Sequence, residues 1–134
     1  MKTKSFPAKL EHLHTMLTWL RNQFTGNHIS AKELMQLELA SEEALVNIIK
    51  YAHAGNIALS VNFTINKEME ITITDQGEMF NPLSFLPKNT NLPLEQREMG
   101  GLGIMMMKNL VDSVDYKRHN HQNILILKKI LIGQ

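Results

Sequence analysis

The chain has 134 residues, with 14 Lys and Arg against 13 Asp and Glu for a formal charge of +1. That is the core of one domain, too short for a two-lobed protein kinase and without the basic excess that grips a nucleic-acid backbone. Cysteine is absent, so thiol catalysis, disulfide frameworks and zinc-thiolate sites are excluded by count. No stretch approaches the roughly 20 apolar residues needed to cross a bilayer, and the expectation is one soluble, cytoplasmic domain over 1–134 with no membrane or direct nucleic-acid partner.

In chain order, Leu10, Leu13, Leu17 and Leu20 recur every three or four residues and predict an amphipathic helix over 8–24, stopped by Thr25-Gly26-Asn27. Ser30 with Glu33 three residues on is an N-terminal capping pattern, and no Gly or Pro follows until past His53, so a longer second helix is expected. Gly55-Asn56 ends it. Ile57, Leu59, Val61, Phe63 and Ile65 then alternate with polar or small residues as one half-buried strand, and Met69, Ile71 and Ile73 as a second. Asn66-Lys67 between them reads as a hairpin turn that pairs the two antiparallel.

Periodicity vanishes from Asn81 to Met99, where three of the four prolines fall. A loop of that length in a compact domain suits a lid, here an expected lid at about 81–100. A third helix is expected over 102–111, then strands over 114–118 and 123–130 joined at Asn120-His121. Helices between successive strand pairs indicate an α+β fold, a two-layer sandwich with helices on one face of a mostly antiparallel sheet.

Three motifs bear on chemistry. On the second helix, Glu43 and Asn47 lie roughly 40° apart, on a face shared with Gln36 and Lys50. A carboxylate there can take a proton from a hydroxyl and an amide oxygen one turn away suits Mg²⁺, although a solvated polar face has the same composition. Thr74-Asp75-Gln76-Gly77 ends the second strand; such an Asp can accept from a ligand amino group while Gly77 permits close approach or positive φ, but Asp-x-Gly is also an ordinary turn. Glu98-Met99-Gly100-Gly101-Leu102-Gly103-Ile104 precedes the third helix and reads as an anion site at a helix start or as a hinge. The Rossmann spacing fails because Met106 stands where the third glycine belongs, and no Gly-Lys-Ser/Thr occurs for a P-loop.

In this order the motifs resemble those of the GHKL (Bergerat-fold) ATPases, and among them the small serine kinases that serve as anti-sigma factors in bacterial partner switching. LELASEEALVNIIKYAH is similar to the N box, ITITDQGEMFNP to the first glycine box and EMGGLGIMMMKNLVDSVDY to the second. The resemblance implies a Bergerat ATP-binding fold, with ATP and Mg²⁺ as cofactors. It implies Glu43 as catalytic base or water-orienting carboxylate, Asn47 on Mg²⁺, Asp75 accepting from the adenine amino group, and Gly77 beneath the base. Backbone amides of Gly101 and Gly103, with Leu102 between them and Gly100 as hinge, would meet the phosphates, and Arg97 of the lid would reach the γ-phosphate.

The implied activity is phosphorylation of a STAS-domain anti-anti-sigma protein, with sequestration of a sigma factor; family members often form homodimers. The chain departs from the family pattern at Met79, which stands at the second glycine of the first glycine box and motivates a second reading, a sequestering module with little or no catalysis. A third reading, a detached histidine-kinase ATPase domain, lacks room before residue 30 for a phosphoacceptor hairpin. The His12/His14 and His119/His121 pairs read as surface residues rather than metal ligands. Met105, Met106 and Met107 read as core filling or as an adaptable groove. Glu38 and Glu42 intrude on the apolar arc of the second helix, which requires either a bend near Ala40 or a partner for the acids.

Overall fold

A computed structural model describes residues 2–26, 28–85 and 99–132. The elements are β1 (Lys2–Pro7), α1 (Leu13–Phe24), α2 (Ala31–Tyr51), β2 (Asn56–Phe63), β3 (Glu68–Asp75), α3 (Met99–Leu110), β4 (Ser113–His119) and β5 (Gln122–Ile130), with short 3-10 turns at Leu10–His12 and Pro82–Phe85. The strands form one sheet in the order β1-β2-β3-β5-β4, antiparallel at every junction. This is the expected α+β arrangement.

The strand β1 was not foreseen. Of its six residues only Phe6 is buried, so it shows no alternation, and Lys2 and Lys4 keep this edge charged against further pairing. Phe6 anchors it to α1 by an edge-to-face contact with Trp19 at 6.0 Å. The first helix starts five residues later than expected, with Leu10 exposed; its buried side is Met16, Leu20 and Phe24. The stop at Gly26 holds, with φ +89°, while Asn27 lies outside the described residues.

The second helix begins as its sequence indicates. Ser30 Oγ accepts from Glu33 N at 3.1 Å and Glu33 Oε1 accepts from Ser30 N at 3.0 Å, a complete capping box. It ends at Tyr51, where His53 takes the left-handed conformation. The helix is uninterrupted, and Glu38 turns toward α1 to pair with Arg21 at 3.3 Å. Glu38 is therefore explained by a neighbouring helix rather than by a bend, and Glu42 is exposed.

Ile57, Leu59 and Val61 of β2, Met69, Ile71 and Ile73 of β3, and Leu125 and Leu127 of β5 face α1 and α2 and form the core with Met16, Leu20, Phe24, Leu37, Leu45 and Ile48. The first hairpin turn is wider than foreseen, since β2 stops at Phe63. Ile65 is 99% exposed in the turn, with Lys67 at φ 61°. The second hairpin turns at Asn120 and His121, both at positive φ, the two-residue geometry that matches strand twist. Met107 joins the core, as the core-filling reading expects, and Met106 is exposed.

Candidate functional site

Asp75 is the last residue of β3, facing inward at the end of the alternation Met69, Ile71, Ile73, and is buried. Its Oδ1 accepts from Gly77 N at 2.8 Å and from Asn123 Nδ2 at 2.9 Å. Its Oδ2 is buried with no hydrogen-bond partner among the described residues. A buried, unpaired carboxylate oxygen costs free energy that a donor from a ligand would recover. Ile48, Ile73, Phe80, Pro82 and Leu125 line a narrow apolar crevice beside it.

Gly77 has no positive φ; close approach is what requires it. A Cβ there would lie 2.2 Å from Ala52 O and 3.0 Å from Ala54 N, both backbone atoms that cannot yield. Glu78 N donates to Ala52 O at 2.7 Å, and the Glu78 side chain meets His53, so the turn after β3 is stitched to the C-terminal end of α2. Met79 is 72% exposed and lies outside the left-handed region. The substitution of this residue for glycine therefore neither strains the turn nor fills the cleft.

On α2, Asn47 is only 4% exposed and Nδ2 donates to Glu43 O at 2.7 Å, which fixes the amide plane and leaves Oδ1 as the group available to a ligand. Glu43 is half-buried. The expectation of a fully solvated face is thereby excluded for Asn47, because α3 packs against α2. A Cβ on Gly103 would stand 2.2 Å from Glu43 Oε2, so α3 passes directly over this carboxylate.

The glycine-rich segment is helical from Met99, three residues earlier than foreseen. Gly100, Gly101 and Leu102 lie in the first turn of α3, where amide groups have no partner within the helix until its fourth residue or so. Gly103 lies beyond, where a helical amide is spent on the carbonyl four residues back. Its requirement for glycine is thus explained by Glu43 rather than by an open amide. Arg97, Glu98, Pro87, Pro93 and most of the expected lid lie outside the described residues. No cluster of three or more His, Asp or Glu suited to a metal occurs among the described residues, and His119 and His121 are exposed. Asn47 Oδ1 is an oxygen donor of the kind that can join phosphate oxygens and water around Mg²⁺.

The sequence reading missed Asn123, Tyr116 and Arg118. Asn123 Oδ1 accepts from Tyr116 Oη at 2.6 Å, Phe80 N at 3.1 Å and Arg118 Nη1 at 3.2 Å, and Arg118 Nη1 also donates to Gly77 O at 2.9 Å. Burial pushes the Tyr116 phenol above its ordinary value of 10.0, with the Arg118 charge opposing and the Asp75 charge reinforcing the rise. One signal was available: Asn123 precedes Leu125 and Leu127 at the inward-facing step of β5, and a polar residue at a core-facing position needs a reason.

The model of the histidine kinase-like ATPase domain matches residues 6–129. The serine/threonine-protein kinase BtrW of Bordetella bronchiseptica is 26% identical over 83% of this chain and 80% of its own length. The serine-protein kinase RsbW of Staphylococcus epidermidis is 28% identical over 92% and 83%. The crystal structure of the RsbU and RsbW domains of Rv1364c from Mycobacterium tuberculosis superposes with a TM-score of 0.69 at 12% identity, over 98% of this chain and 33% of that one, a likeness of fold. With the family match spanning nearly the whole chain, the protein belongs to the histidine kinase-like (GHKL) ATPase domain family.

Proposed function

We propose that this chain is a Mg-ATP-dependent serine/threonine protein kinase that phosphorylates a STAS-domain anti-anti-sigma protein and sequesters a sigma factor. The observation that carries the nucleotide part is the buried Oδ2 of Asp75, without a hydrogen-bond partner among the described residues, beside an apolar crevice. The names of the relatives, serine and serine/threonine kinases, support the choice of phosphoacceptor.

In this reading Asp75 accepts from the exocyclic amine of adenine, and the apolar side chains beside it pack against the ring. Gly77 keeps the strand end low enough for that approach. The first-turn amides of α3 at Gly100 and Gly101, with the positive end of the helix dipole, face the phosphates. Asn47 Oδ1 would hold Mg²⁺, which when bound neutralises phosphate charge. Glu43 takes the proton of the attacking serine hydroxyl, and the remaining work is positioning. Arg97 would add positive charge at the γ-phosphate.

Purified protein incubated with radiolabelled ATP and a cognate STAS-domain protein tests the proposal. Transfer to serine should occur and should fall about 10²- to 10⁴-fold in Glu43→Ala, the usual worth of a general base. Absence of transfer, or a Glu43→Ala variant as active as wild type, removes the kinase reading.

A further inference from the structure

The helices cover one face of the sheet, and no described element covers the other. On that open face the register places Ala58, Thr74 and Ile124 in one row and Ser60, Thr72 and Ile126 in the next. None of the six carries a charge, and all are half-buried. Ser5 and Thr3 extend the rows on β1, where Thr3 Oγ1 donates to Ser60 Oγ at 3.3 Å. Lys117 and Asp115 close the same rows on β4.

One layer of helices does not account for β5. Ile124, Leu125, Ile126 and Leu127 are four consecutive large apolar residues, the run expected of a strand covered on both faces. Leu125 and Leu127 face the helices and are buried. Ile124 and Ile126 face outward with no described layer above them, and apolar area left in water there drives association.

Two features identify the covering layer as a second copy of the chain. The five strands, about 4.8 Å apart and roughly eight residues long at about 3.3 Å each, form a face large enough for two copies to hide roughly 1,200 Å² in total, above the ~1,000 Å² a specific interface needs. The second feature is charge. Asp115 and Lys117 are exposed, two positions apart on the outward side of β4, and neither forms an ion pair among the described residues. A two-fold axis in the plane of the interface, crossing the strands between the two rows, sets Asp115 of each copy against Lys117 of the other. The same rotation sets Ile124 against Ile126, so the face is complementary to itself.

We infer that the open face of the sheet is a homodimer interface, two copies packing sheet against sheet with Ile124 and Ile126 buried between them and Asp115 and Lys117 paired on the rim. Glu43, Asn47 and Gly103 lie in the helical layer, so pairing leaves both candidate sites uncovered. The inference goes beyond the proposed kinase activity and does not depend on it.

Sedimentation equilibrium of the full chain without nucleotide is the test. Wild type should be dimeric at micromolar concentration, within the range that interfaces of this area reach. Ile126→Lys sets an unpaired charge in the interface and should weaken association about 100-fold or more, with the circular-dichroism spectrum unchanged. Should that variant not fold, Thr72→Lys places the same charge one strand over, with the same loss expected. Ile65→Lys, in the hairpin turn and off the face, should leave association as in wild type; an equal loss there overturns the inference.

The rim charges test the arrangement itself. Asp115→Lys and Lys117→Asp, at exposed positions, should each weaken the dimer several-fold by facing like charges, and the double variant should restore it. A wild type that stays monomeric at hundreds of micromolar overturns the inference, as does a dimer that Ile126→Lys and Thr72→Lys leave intact. A double variant no tighter than either single one overturns the two-fold arrangement.

Discussion

A methyl group on Gly77 would meet the Ala52 carbonyl, whereas one on Gly103 would meet only the end of a flexible carboxylate. The two Gly→Ala substitutions should therefore act in opposite ways. Gly77→Ala forces the β3 turn off the end of α2 and should cost roughly 2 kcal/mol, as overpacking does, read as a lowered denaturant midpoint. Gly103→Ala lies inside a helix, where alanine gains up to about 1 kcal/mol over glycine. It should leave stability equal or higher while displacing Glu43 and lowering phosphoryl transfer, by about 10²-fold for a misplacement near 1 Å. Unfolding curves and transfer rates on the same preparations separate these outcomes. At Tyr116 burial raises the phenol pKa above 10.0. Its contribution to stability is then fully present below the unfolded phenol value and is lost as pH rises through the higher folded one. An alkaline absorbance titration should show a phenol ionising above pH 10 that Tyr116→Phe removes.

Helix α2 carries the acid, the amide and, at its C-terminal end, the carbonyl against which Gly77 rests, so its placement governs the site. Its N-terminus is held by Ser30 and Glu33, and Glu33 Oε2 also accepts from Ile132 N at 2.6 Å, tying the helix start to the chain just beyond β5. Ser30→Ala should cost about 1 kcal/mol, as loss of an N-cap does. Glu33→Ala should cost more, because it removes the reciprocal cap and the tie at once. A double-mutant cycle by chemical denaturation should show the two to be non-additive. The capping pattern was readable from two residues; the second bond of Glu33 was not, because its partner lies 99 residues away. The same holds for Glu38, whose place on an apolar arc is explained by Arg21 on the neighbouring helix.

In the whole molecule, β3 is the centre of the sheet, between β2 and β5, and its inward side chains carry the core. Ile71→Ala should cost roughly 3 kcal/mol as a buried cavity. Ile65→Ala, at a position with the same sequence alternation but exposed in the turn, should change stability by no more than about 0.5 kcal/mol. Thermal or urea unfolding of the pair tests whether the core ends where the structure places it. Period and capping alone were enough for α2, for the β2–β3 and β4–β5 hairpins, and for the order of motifs that marks the family, because each rests on residues within a turn or a hairpin of one another. They were not enough for β1, whose single buried residue carries no pattern, nor for the β3–β5 pairing. That pairing sets Asn123 beside Asp75, 48 positions apart, and so gives the buried carboxylate its side-chain donor. Local periodicity states which side of a strand faces inward; which inward residues meet depends on non-local register, and register is settled only when the whole core packs.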